Sequence, residues 1–192
     1  PATVMGGQTS TGTATLNGSA PAGGAIVTLT SDSAAAAPAS SVTVPEGATG
    51  ATFTVATAAV STTTTATITG NFNGTQTAQL TINAPVLASV SLSPNSVVGS
   101  SNSTGTVTLS SVAPAGGVSV ALASDNGSAT VPSSVTVAGG ATTATFTVNT
   151  VAVGTTTTAT ISGSYSGTLK IGLTHIATLL TSVQLIWHRV VG

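Results

Sequence analysis

Apolar and small polar residues alternate along most of this chain with a period of two. Val107 and Leu109 show it, as do Val118, Val120 and Leu122, Val135 and Val137, Ala144, Phe146 and Val148, Ala159 and Ile161, and Ile171 and Leu173. Thr fills most of the positions between them. Thr is β-branched, so it suits a pleated surface and still tolerates water. Such alternation sends the Val, Leu, Ile and Phe side chains to one face of a strand and the Thr side chains to the other. No window carries a helical period.

Turn signals cut the pattern at regular intervals. Ala-Pro-Ala-Gly-Gly stands at 20–24 and again at 113–117, Ser-Asp at 31–32 and 124–125, and Gly-Ala-Thr at 47–49 and 140–142. Asn73-Gly74, matched by Ser166-Gly167, is a hairpin signal. Between the breaks the later part of the chain predicts strands near 88–92, 104–111, 117–123, 134–137, 143–150, 156–163 and 168–175. Seven short antiparallel strands in about 90 residues predict an immunoglobulin-like (Ig-like) β-sandwich. Phe53, Phe72, Phe146 and Tyr165 are the large residues expected in or near its core.

The breaks recur because the chain repeats itself. Ser10–Thr75 aligns without a gap on Ser103–Thr168, an offset of 93 residues, with 42 of the 66 pairs identical. Pro1, Val4 and Gly6 fall on Pro94, Val97 and Gly99. Ser182, Val183, Leu185, Val190, Val191 and Gly192 fall on Ser89, Val90, Leu92, Val97, Val98 and Gly99. The expected organisation is all-β: an Ig-like domain over 1–84 that lacks its first strand, a second over 85–176, and a donor-strand segment over 177–192. The junction near Asn83-Ala84-Pro85 is short, so the pair is expected to form a stiff rod.

Three stretches carry a resemblance. Residues 106–125 (Thr-Val-Thr-Leu-Ser-Ser-Val-Ala-Pro-Ala-Gly-Gly-Val-Ser-Val-Ala-Leu-Ala-Ser-Asp), 131–137 and 140–148 resemble the bacterial Ig-like repeats of large secreted and surface proteins. The resemblance implies an Ig-like sandwich in an extracellular setting. It implies no ligand or activity, because such modules serve as stalks, adhesins and fibre units alike.

The resemblance stops near residue 176. Ile186-Trp187-His188-Arg189 replaces Ser93-Pro94-Asn95-Ser96. Pro94 is expected to bend the chain between two short strands, since proline breaks a ladder. Without it, 183–191 reads as one strand of about nine residues, roughly 30 Å long. Donated to the first domain of another copy, such a strand would add backbone hydrogen bonds and fill an apolar row. The expected contact residues are Val183, Leu185, Trp187, Val190 and Val191, with Trp187 as anchor. Repeated head to tail, the contact makes a filament. The run Ile171–Trp187 is apolar but short for a membrane helix and broken by Thr, His and Gln. It is expected as two strands.

Composition narrows the function. Only 3% of the 192 residues are charged, against about 25% in an ordinary domain. There is no basic patch for nucleic acid, and little self-repulsion to oppose association. Cysteine is absent. Asp32 and Asp125 are equivalent positions in different repeats, so they cannot pair as catalytic carboxylates; each is expected to cap a turn. One acid per turn is too few for calcium. His175 and His188, with no Cys, do not make a zinc site, and no serine has triad partners. Lys170 is a weak candidate for an isopeptide bond, its counterpart being Thr77. Asn17, Asn73, Asn102 and Asn126 head Asn-x-Ser/Thr sequons and are candidate glycosylation sites.

The expected function is therefore a non-enzymatic structural subunit of an extracellular, pilus-like filament. Its partners are copies of itself and glycans, with no cofactor, metal, nucleic acid or membrane span. A stalk or adhesin module of a large surface protein is the alternative. An ice- or carbohydrate-binding module, resting on Thr62–Thr65 and Thr155–Thr158, comes third, because a twisted sheet offers no flat threonine array.

Overall fold

The computed structural model describes residues 1–184. The repeat becomes two β-sandwiches in tandem, and no helix occurs among the described residues. The first is built from β1 (Thr3–Met5), β2 (Thr9–Thr15), β3 (Ala25–Ser31), β4 (Ala36–Pro38), β5 (Ser41–Val44), β6 (Gly50–Thr57), β7 (Thr64–Asn71) and β8 (Thr75–Asn83). The second is built from β9 (Leu87–Ser93), β10 (Ser96–Val98), β11 (Ser103–Leu109), β12 (Val118–Ser124), β13 (Ala129–Thr130), β14 (Ser134–Val137), β15 (Thr143–Thr150), β16 (Thr157–Ser164) and β17 (Thr168–Ile176).

One sheet has the same plan in both domains. Its strand order is β1-β8-β7-β3-β5 in the first and β10-β17-β16-β12-β14 in the second, with five strands each. The outermost pairs, β1 with β8 and β10 with β17, are parallel. The facing sheets differ. In the second domain four strands run β13-β15-β11-β9; in the first, among the described residues, three run β2-β6-β4. Among the described residues no strand of the first domain takes the place of β9.

The seven expected strands of the second domain are all present, with β10 and β13 in addition. Pro94 lies between β9 and β10, where the chain leaves one sheet for the other. Of the two strands expected over Ile171–Trp187, the first is the end of β17, which closes at Ile176; residues 177–184 form no strand, and the rest of the second lies outside the described residues.

The core follows from the strand count. In the second domain one continuous cluster joins Leu87, Val107, Leu122, Phe146, Ile161 and Leu173, among others. Val90 and Leu92 of β9 pack against it. In the first domain the core falls into two clusters, one around Ile68, Leu80 and Ile82 and one around Val27, Leu29 and Val44. Among the described residues only Phe53 packs against both. Phe146 is buried, whereas its counterpart Phe53 is half exposed. Ile171 is half buried, whereas Ala78 is exposed. Phe72 and Tyr165 are both half buried.

A glycine supports each phenylalanine. Gly12 faces Phe53 across β2 and β6, and Gly105 faces Phe146 across β11 and β15. A Cβ at either glycine would run into the ring opposite. The ring covers backbone that the glycine leaves bare, which pins the register.

The junction between the domains is held from both sides. The Ala84 amide donates to Thr63 Oγ1 at 3.3 Å, and the Val86 amide donates to Ser110 Oγ at 2.9 Å. Pro85, between them, is fully buried.

Candidate functional site: an open sheet edge over an apolar trough

The site is the free side of β2. Among the described residues that strand pairs with β6 and with no other strand. Beneath its open side runs an apolar trough floored by Ala14, Phe53, Ile68, Gly70, Ala78 and Leu80. The trough begins beside Pro1, whose carbonyl accepts a 2.7 Å hydrogen bond from Ser10 Oγ. In the second domain the same bond joins Ser103 Oγ to the Pro94 carbonyl at 2.6 Å.

The second domain shows what belongs in such a trough. There β9 pairs antiparallel with β11, with Ser91 opposite Thr106 and Val90 opposite Val107. The register slips beyond Thr108, so that Leu109 meets Leu87 and Ala88 is skipped. This bulge brings Leu87, Val90 and Leu92 all inward despite their odd spacing. A Cβ on Gly163 would lie 2.9 Å from Val90 Cγ2 and 3.4 Å from Leu87 Cδ2. On the equivalent Gly70 it would meet, among the described residues, only Val27 and Leu29, at 3.4 and 3.6 Å.

A long edge strand is normally blunted by charge, proline or a bulge. The Thr-Ser-Thr-Gly-Thr-Ala-Thr of β2 has none of these. The edge strand β9 of the second domain carries the bulge at Ala88 and borders a filled core; β2 is unblunted and borders the trough. Its chemical capacity is to accept an extended segment, with main-chain hydrogen bonds for affinity and the trough for side-chain selection.

The expected donor residues lie at the other end of the chain. Val183 is described: it is 75% exposed and belongs to no strand. Leu185, Trp187, Val190 and Val191 lie outside the described residues, as does His188.

The remaining candidates have structural surroundings. Asp32 and Thr67 bond reciprocally: the Asp32 amide donates to the Thr67 carbonyl at 3.2 Å, and the Thr67 amide donates to Asp32 Oδ1 at 2.7 Å. Asp125 and Thr160 do the same at 3.2 and 2.6 Å. Each aspartate thus extends a ladder one step past its strand end, rather than capping only its own turn. Glu46 Oε2 accepts from the Gly23 amide at 3.1 Å.

Those amide bonds favour the ionised form and hold both aspartates below the ordinary carboxylate value. Their contribution to stability is therefore present above about pH 4, where the unfolded groups are ionised, and is lost as pH falls through the lowered folded values. The double variant D32N/D125N is expected to flatten the acid limb of a plot of urea midpoint against pH. An unchanged limb would show that these bonds do not set it.

His175 is completely buried on β17, with Val97 on one side and Thr157 on the other. Neither ring nitrogen has a hydrogen-bond partner among the described residues. Its counterpart is Ile82, equally buried. Among the described residues no group of three or more His, Cys, Asp or Glu could hold a metal ion. The repeat thus supplies the test: H175I is expected to stabilise the second domain by about 1–3 kcal/mol by removing an unpaired buried polar group. A lowered thermal midpoint would contradict this.

Lys170 is exposed. Asn17, Asn73 and Asn102 are exposed, while Asn126 is half buried and accepts from the Ser128 amide at 2.9 Å. Each threonine run is divided, because β7 starts at Thr64 and β16 at Thr157. Thr63 and Thr156 turn instead to the Ala84 and Ala177 amides. No helix of the described residues is long and apolar enough to cross a membrane.

No protein-family model matches the chain, and no curated protein matches it. Solved structures align along most of the chain. The D0-D1 domain of Intimin is 16% identical, with 92% of this chain and 95% of that one covered and a TM-score of 0.40. The D00-D0 domain of Intimin is 14% identical, with 91% and 95% covered and a TM-score of 0.42. The Yersinia pseudotuberculosis adhesin InvE is 18% identical, with 91% of this chain but 56% of that one covered, and a TM-score of 0.40.

Proposed function

We propose that this chain is a structural module of an extracellular rod, whose units join head to tail by β-strand complementation. The observation that carries the reading is the inequality of the two domains. Among the described residues one fold, repeated, has a four-stranded sheet over a filled core in one copy and a three-stranded sheet over an apolar trough in the other. The anchored junction and the near absence of charge suit a rod that must not repel its neighbours.

Two arrangements follow from one contact. In the filament, the chain polymerises as copies of itself. In the stalk, it lies within a longer surface protein and serves as a spacer, with adhesion located elsewhere. The exposed apolar residues Leu179, Leu180 and Val183 favour the filament. Size-exclusion chromatography and electron microscopy separate them. The filament predicts concentration-dependent multimers and fibres, and monomers when Ser182–Gly192 are deleted. Fibres that survive the deletion would exclude strand donation; monodisperse full-length chains would leave the stalk alone.

A further inference from the structure

We infer that the occupant of the trough is the segment 177–185 of a second copy, bound antiparallel to β2 in the register that β9 takes on β11. This rests on the head-to-tail reading and adds to it the segment, its direction and its register.

The repeat offset puts Leu180, Val183 and Leu185 on Leu87, Val90 and Leu92. These are the residues that fill the trough of the second domain. Both sets have the spacing i, i+3, i+5. A plain strand would send the first residue of such a set to the wrong face. The bulge at Ala88 corrects this in β9, and the segment has the short residue Thr181 at that position.

The start of the segment is also set. The Ala177 amide donates to Thr156 Oγ1 at 3.2 Å, as the Ala84 amide donates to Thr63 Oγ1 just before β9. The chain therefore leaves the second domain through the anchor that leads into a docking strand in the first. From there Leu180 is 83% exposed, whereas Leu87 is 8% exposed.

The other end is set by β1. By the repeat, Val190 and Val191 fall on Val97 and Val98 of β10. That place in the first domain is held by the chain's own Val4 and Met5, paired with Ile82 and Asn83. Only the part of the segment up to Ile186, the counterpart of Ser93, has room. The trough-filling residues are thus Leu180, Val183 and Leu185, rather than the whole of 183–191.

The register fixes cross-strand neighbours. Thr106 opposite Ser91 and Thr108 opposite Ser89 translate to Thr13 opposite Gln184 and Thr15 opposite Ser182. The chain has no cysteine, so introduced pairs report cleanly. The test mixes single variants of the full-length chain, T13C with Q184C, under mild oxidation. The expected product is a disulfide-linked heterodimer in at least tenfold excess over that from T13C with T178C. The doubly substituted chain is expected to give a ladder of linked multimers. Multimers linked equally well by the T178C pair would overturn the register and leave the head-to-tail reading standing. A doubly substituted chain that closes only on itself would overturn the second copy as occupant. Unlinked monomers throughout, by chromatography as well, would overturn both. Plugging the trough with G70L, with strand content checked by circular dichroism, is expected to abolish the heterodimer; heterodimer at the unsubstituted level would contradict the docking site.

Discussion

A copy of Ala84–Ser93 joined ahead of Pro1 is expected to raise the thermal midpoint of the first domain by roughly 10 °C and to abolish assembly. The junction is natural, because Ser93 precedes Pro94 and Pro1 is the counterpart of Pro94. The added strand would pair with β2 as β9 pairs with β11. It would place a Leu, a Val and a Leu over Phe53, Ile68 and Gly70, and so unite the two clusters of a divided core. Deleting one such large aliphatic side chain from a core costs about 2–5 kcal/mol. A net gain at the lower end of that range moves the midpoint of a domain this size by about 8–16 °C. Calorimetry should show two transitions in the unmodified monomer, the lower from the first domain, drawing together in the extended chain. Assembly should stop because the trough is filled in cis. An extended chain that still forms multimers would mean that association uses another surface.

Leu180→Asp is expected to weaken association by about 1000-fold or more. The substitution forfeits the burial of a leucine, roughly 1.5–3 kcal/mol. It also sets a carboxylate against an apolar trough whose lining residues include no Lys or Arg, which costs a few kcal/mol more. Together these exceed the ~4 kcal/mol of a 1000-fold change. Because Leu180 is exposed in the monomer, the monomer's own stability should not move. Thr181→Asp, one residue away, is the control. Its counterpart Ala88 is exposed at the bulge, so the effect should stay within about threefold, as for ordinary surface positions. Sedimentation equilibrium measures both. Equal effects of the two would show that the segment binds without the register of β9.

Much of this architecture is legible in the sequence, because Thr alternates with Val and other apolar residues and turn motifs recur at one offset. The strands β11, β12, β15, β16 and β17 fall within a residue or two of their expected limits. Others were hidden for physical reasons. With three and two residues, β10 and β13 are too short for any period to show. The bulge at Ala88 breaks the alternation of β9, so Leu87 does not read as part of the inward set that Val90 and Leu92 define. That same break conceals Leu180, which periodicity alone leaves out of the donor set. His175 reads as a polar strand-end residue, and only the burial of both it and Ile82 shows that it occupies a core position. The divided core of the first domain cannot be seen from identity between repeats, since Phe53 and Phe146 are the same residue in environments that differ by one strand.

The most direct measurement is amide hydrogen exchange along Thr9–Thr15 in the assembled chain, beside the variant lacking Ser182–Gly192. Strand complementation predicts that the β2 amides pointing away from β6 become as protected as those of β11, and that the deletion returns them to fast exchange. Equal, fast exchange of those amides in multimer and monomer would contradict it.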